Sequence, residues 1–96
     1  MGSATKLFSS PAGGIWKVNL QANDNFSFAH GLNPGTPILL GARSMDVTSI
    51  DPANVALRSL TTDPATALLV IPVVGKSLAD VAGDAIAAIH PVIALP

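Results

Sequence analysis

The chain has 96 residues, one domain's worth, and only 11% of them are charged, against about 25% in an average globular chain. The net charge is −1, and the five basic residues, Lys6, Lys17, Arg43, Arg58 and Lys76, are scattered. This argues against nucleic acid or a membrane surface as a partner, since both need clustered cations. Cysteine is absent, which excludes disulfides and thiolate metal sites.

Hydrophobic residues make up 49% of the chain, mean hydropathy is +0.52, and there is no Glu. A domain this small exposes much of its surface, so a lone monomer of this composition would show large apolar patches. Such patches mark contact surfaces, and an oligomer or a permanent place in an assembly is expected. The N-terminus lacks the apolar core of a signal peptide. The longest apolar runs, at 67–74 and 85–95, are shorter than a membrane helix of about 20 residues. Synthesis in a cytoplasm is therefore expected.

Residues 1–14, with Pro11 and the Gly13–Gly14 pair, have the composition of a flexible arm. Leu7 and Phe8 are its sticky positions, suited to draping over a neighbour. The predicted folded domain is 15–96. Trp16, Val18 and Leu20 alternate with Lys17 and Asn19, the period of a half-buried strand. A turn cluster at 21–25 precedes a second strand with Phe26, Phe28 and His30 on one face. HGLNPGTP at 30–37 is dense turn chemistry. Residues 37–45 read as a third strand, with Gly41 marking a bulge or a close backbone approach. Residues 46–50 continue it or form a short fourth strand. A turn at 51–54 with Pro52 at its second position leads into a strand at 54–61. Residues 65–74 are the strongest strand, apolar on both faces, and Pro72 places one side of it at an edge or bulge.

Two readings compete for 77–89. Leu78, Val81, Ala82, Ala85, Ile86 and Ile89 recur at helical spacing, and Ser77 with Asp80 could cap a helix. Gly83 and Pro91 count against it and favour a loop followed by a last strand at 85–94. Six to seven short strands between turn signals give an all-β fold, a small β-sandwich or barrel. Phe26, Phe28, Ile38, Leu40, Val55, Leu57, Leu69 and Ile71 are its expected core.

No catalytic set emerges, and no enzyme activity, cofactor or metal is expected. Zinc catalysis wants about three His or carboxylate ligands, and His30 and His90 stand far apart without Glu. A His30–Asp24–serine set lacks a nucleophile elbow. Asp24, Asp51, Asp63 and Asp84 sit in turn segments, where Asp bonds its own backbone. Sugar binding needs an exposed aromatic platform. Phe26 and Phe28 fit the core better, which leaves Trp16. For His30 the favoured role is structural: Gly31 permits positive φ, Leu32 turns back to the core, and the imidazole bonds the turn backbone. Pro34 and Pro37 complete that structural turn.

The run NDNFSFAHGLNPGTPILLGA at 23–42 resembles a pattern in small bacteriophage structural proteins, in which a strand ends in His-Gly-Leu and a Gly/Pro turn leads to an apolar strand. VTSIDPANVALRSL at 47–60 is similar to their next section, while 75–84 departs from it. The resemblance implies a virion structural β-sandwich, a capsid decoration (cement) protein assembled in the host cytoplasm and carried on the virion. Its partners would be the major capsid protein and copies of itself, as a trimer. The alternative is a carbohydrate- or receptor-binding module of a tail or head fibre. Contacts are expected at Leu7, Phe8, Trp16, Leu68, Ile93 and Leu95.

Overall fold

In a computed structural model, which describes residues 1–41 and 43–89, seven strands form two antiparallel sheets and the chain ends in one helix. The strands are β1 (Ser3–Ser10), β2 (Gly13–Leu20), β3 (Asn25–Ala29), β4 (Ile38–Leu40), β5 (Met45–Ile50), β6 (Asn54–Ser59) and β7 (Ala65–Pro72), followed by α1 (Leu78–Ile89). The larger sheet has the order β1-β2-β7-β4, and the smaller β3-β6-β5. They stack as an open sandwich rather than a closed barrel. The molecule is therefore mostly β with a helix, not all-β. Among the described residues no helix is long and apolar enough to cross a membrane.

The core follows from strand alternation. Trp16, Val18 and Leu20 of β2 and Ala67, Leu69 and Ile71 of β7 meet Met45, Val55 and Leu57 of the smaller sheet. Val18, Val55, Leu69 and Ile71 are fully buried, each contributing about 1.5–3 kcal/mol by leaving water. Phe26 and Phe28 pack on this core, with ring centroids 5.9 Å apart, and Phe28 lies 5.6 Å from Trp16.

Three expectations need correction. The first is the N-terminal arm. Residues Ser3–Ser10 are a strand, paired along its length with β2 from Ser3↔Asn19 to Ser10↔Gly13, with a bulge at Leu7. The glycines there serve close packing rather than flexibility. A Cβ on Gly13, whose φ is +152°, would strike the Ile71 carbonyl, Pro72 and Val81. One on Gly14 would lie 2.6 Å from the Trp16 ring.

The second is the segment 37–45. Its strand ends at Leu40, and Gly41, with φ +74°, lies in the connection from β4 of one sheet to β5 of the other. Within β4 the faces are reversed from expectation. Leu39 pairs with the core residue Leu69, whereas Ile38 and Leu40 pair with Val70 and Leu68 and so face outward. An unbroken Ile-Leu-Leu run carries no alternation from which to read its register.

The third is the expected last strand, of which 85–89 is helical. Ser77 and Asp80 form a reciprocal cap: Asp80 N–H donates to Ser77 Oγ at 3.3 Å, and Ser77 N–H to Asp80 Oδ2 at 2.8 Å. Val81 and Leu78 then pack on Ala12, Ile15 and Val70. A Cβ on Gly83 would meet nothing, so glycine costs only its propensity, about 1 kcal/mol. The remainder of that expected strand lies outside the described residues.

Pro72 is the last residue of β7. It stands beyond the start of β4, where Ile38 pairs with Val70. Its missing N–H thus falls where no β4 partner exists.

Candidate interaction surface

The two sheets turn opposite chemistry to the outside. On the smaller sheet the outward rows are Asn25–Arg58–Asp46, Ser27–Ala56–Ser49 and Ala29–Asn54. These are small or polar side chains, and Arg58 and Asp46 form a two-pronged ion pair at 2.9 and 3.1 Å. On the larger sheet the outward rows are Phe8–Ile15–Val70–Ile38 and Thr5–Lys17–Leu68–Leu40. Lys17 is the only charge in these two rows. Farther from the helix the face turns polar, with Thr66 Oγ1 donating to Asn19 Oδ1 at 2.6 Å.

α1 covers part of this apolar face. It enters beside the end of β7, where Val81 packs against Val70 and lies close to Gly13. It then passes to β1, where Ser10 Oγ donates to Asp84 Oδ2 at 2.7 Å. Between the helix and the β1–β2 hairpin is an open cleft of about 470 Å³, lined by Phe8, Ser10, Pro11, Lys76, Asp80 and Asp84 among others. Its two carboxylates are engaged, Asp84 by Ser10 and Asp80 by the helix cap. The Ser77 backbone N–H, then its hydroxyl, hold the Asp80 carboxyl below its ordinary pKa.

Leu68 and Leu40, each 39% exposed, lie one row beyond the part of the face that the helix covers. Ala82, Ile86 and Ile89 stand at i, i+4 and i+7 on one flank of α1. Asp80, Asp84, Ala87 and Ala88 line the hairpin cleft, so the Ile86 flank is turned away from the hairpin tip, the direction in which Leu68 and Leu40 lie. Ile86 and Ile89 are 60% and 71% exposed. The side of the molecule formed by the larger sheet and its helix thus exposes Leu68 and Leu40 on β7 and β4, and Ile86 and Ile89 toward the end of α1.

Of the residues expected at contacts, Leu7 is exposed at the β1 bulge and Phe8 is half-buried beside the helix. Leu68 is on the outer face of the larger sheet. Trp16 is a core residue, 3% exposed, with the Lys6 ammonium 5.4 Å from its ring centre. Ile93 and Leu95 lie outside the described residues, as does His90. Leu40 was not singled out by sequence reasoning as a contact, its signal hidden by the register of β4; Ile86 and Ile89 were expected in an apolar C-terminal surface, part of which meets another subunit, but as a strand rather than a helix.

The turn residues are brought together as a structural unit. His30 is 1% exposed. Leu32 N–H donates to its Nδ1 at 3.0 Å, which leaves the ring proton on Nε2 to donate to the Asp51 carbonyl at 2.7 Å. His30 N–H donates to the Ala53 carbonyl. Gly31 has φ +72°, and Pro34 bridges to Val73. Pro37 sits just before β4. Asp51 completes the other side, its Oδ1 accepting from Asn54 N–H at 2.6 Å and Ala53 N–H at 2.8 Å. Those backbone donors, Asn54 first, lower the pKa of its carboxyl.

No family model matches this chain, and comparisons with curated proteins and with solved structures find no match.

Proposed function

We propose that this chain is a structural subunit of a protein assembly, held there by the apolar outer face of its larger sheet. The observation that carries the reading is the asymmetry of the two outer faces. One is small and polar, while the other exposes Leu68 and Leu40 and carries α1 with its exposed Ile86 and Ile89. Burying such area contributes about 25 cal/mol per Å² before association costs of about 4–15 kcal/mol are met. What supports a bacteriophage virion as that assembly is the resemblance of 23–42 and 47–60 to small phage structural proteins. The role proposed within it is capsid decoration, bridging major capsid subunits and other copies of itself. A subunit that binds only the assembled shell stabilises that shell by mass action.

The carbohydrate-binding reading is less well supported. The aromatic residue it needed at the surface, Trp16, lies in the core. The test is native mass spectrometry of the purified chain together with co-sedimentation on capsid shells, for wild type and Leu68→Asp. A monodisperse oligomer or shell binding is expected for wild type, and its loss in a variant that keeps its circular dichroism spectrum. A wild-type chain that is monomeric and ignores shells would refute the reading.

A further inference from the structure

We infer that the free edge of β3 accepts one extended strand from a different protein, with an acidic side chain placed beneath Lys6. This surface belongs to the smaller sheet and uses neither Leu68 nor Leu40, so it stands apart from the assembly reading above. Two backbone bonds fix the phase of β3. Ser59 N–H donates to the Asp24 carbonyl, and His30 N–H to the Ala53 carbonyl. Bonded and unbonded pairs alternate along an antiparallel ladder, so Phe26 and Phe28 also bond β6. Asn25, Ser27 and Ala29 then turn their N–H and C=O groups to the open side, where no other described backbone group meets them. The other three sheet edges are guarded. β1 is bulged at Leu7 and β5 at Thr48, and β4 has only three residues. Bulges and short length blunt an edge against further pairing. β3 pairs regularly over all five of its residues, with no bulge, proline or charge.

The space beside β3 also has a roof. Trp16 of β2 meets Phe28 with ring centroids 5.6 Å apart, and Lys6 is the partner of Trp16 on β1. Lys6 therefore lies on the inner face of the larger sheet, its ammonium 5.4 Å from the Trp16 ring centre, and yet it is exposed. The larger sheet has four strands and the smaller three, and β1 is the strand left uncovered at Lys6. Phe26 and Phe28 are only half-buried for the same reason. A second copy cannot fill this space by pairing its β3 with this one, because the two-fold axis of such a pair would carry its own larger sheet into the place of β1. A single extended strand fits. Its inward side chains stand beside Phe26 and Phe28, about 4.8 Å away. The one beside Phe28 meets the Lys6 ammonium, which has no ion pair among the described residues. An acidic side chain matches that position and an apolar one the position beside Phe26. Strand addition of this kind takes its affinity from main-chain bonds and its specificity from alternate side chains.

The probe is a synthetic peptide alternating Val and Thr, with Asp in place of one central Val, titrated into the isotope-labelled full chain. NMR chemical shifts and amide hydrogen exchange report where it binds. Slowed exchange at Asn25, Ser27 and Ala29 is expected, with shifts at Lys6 and Trp16. A peptide carrying Lys in place of the Asp should bind wild type about three- to tenfold more weakly, and the order should reverse in Lys6→Glu. A peptide N-methylated along the edge that meets β3 should not bind, because it has lost the main-chain donors. Slow exchange of the three β3 amides in the chain alone, no binding at millimolar peptide, or binding indifferent to N-methylation would overturn the inference. Equal binding of the Asp and Lys peptides would overturn the acidic match to Lys6.

Discussion

Replacing His30 with alanine is the sharpest test of how the turn at 30–37 is held. The imidazole is 1% exposed and makes two hydrogen bonds, accepting from Leu32 N–H and donating to the Asp51 carbonyl. Each such bond contributes about 1 kcal/mol net, and more is lost where the abandoned partner stays out of water. Leu32 is half-buried, while Asp51 is exposed and its carbonyl can turn to solvent. Removing the ring also leaves a void, whose cost adds to the loss of the bonds. Together these give about 3 kcal/mol, or a fall in Tm of about 12–24 °C for a domain of this size.

Two further variants separate the bonds. Asn places an acceptor near the Nδ1 position and keeps the Leu32 bond, whereas Gln extends a donor toward the Asp51 carbonyl. Each should recover part of the loss in urea unfolding followed by circular dichroism. An alanine variant within about 0.5 kcal/mol of wild type, or Asn and Gln variants no better than alanine, would mean that His30 does not pin the turn to the β5–β6 hairpin.

Three other perturbations follow from the same structure. Gly13→Ala should cost at least about 3 kcal/mol or prevent folding, because its Cβ meets the Ile71 carbonyl and Val81 at once; thermal melting reads this, with the helical Gly83→Ala, whose Cβ meets nothing, as the mild comparison. Leu39→Ala should destabilise by about 1–3 kcal/mol and Leu40→Ala by under 1 kcal/mol in the monomer; the reverse order in chemical denaturation would show the β4 register to be wrong. Asp51 and Asp80 have pKa values lowered from the usual 3.8 by backbone donors, so their stabilisation is complete above that value and is lost as pH falls through their lower folded values. Asp51→Asn keeps an acceptor for the turn and should flatten the loss of stability below about pH 4 in acid titrations; an unchanged acid profile would count against Asp51 as a contributor.

Much of the architecture was legible from period 2. Trp16, Val18 and Leu20 announced β2, the doubly apolar 65–74 announced the central β7, and the Asp51-Pro52 turn announced the β5–β6 hairpin. What escaped was set by contacts between distant residues. β1 carries little apolar signal because it is an edge strand pairing its backbone with β2, and backbone pairing needs no side-chain pattern. The Gly13–Gly14 pair looks like a linker until Ile71 and the Trp16 ring are brought against it. The β4 register is invisible in a run of three apolar residues. α1 was expected as a loop leading to a last strand, and the helix is decided instead by the Ser77–Asp80 cap and by the uncovered outer face of β7 that Val81 fills.

That last contact bears on why the chain carries so little charge. A strand apolar on both faces, in a sandwich of only two sheets, leaves one face without a sheet to cover it. α1 resolves this over Val70 and Ile15, but the described helix of 12 residues is about 18 Å long and leaves Leu68 and Leu40 exposed. The polar outer face of the smaller sheet shows that small and charged residues are available where water is the neighbour. The exposed leucines at 40 and 68 are what the assembly proposal rests on, and the substitution of either by Asp tests it without touching the core.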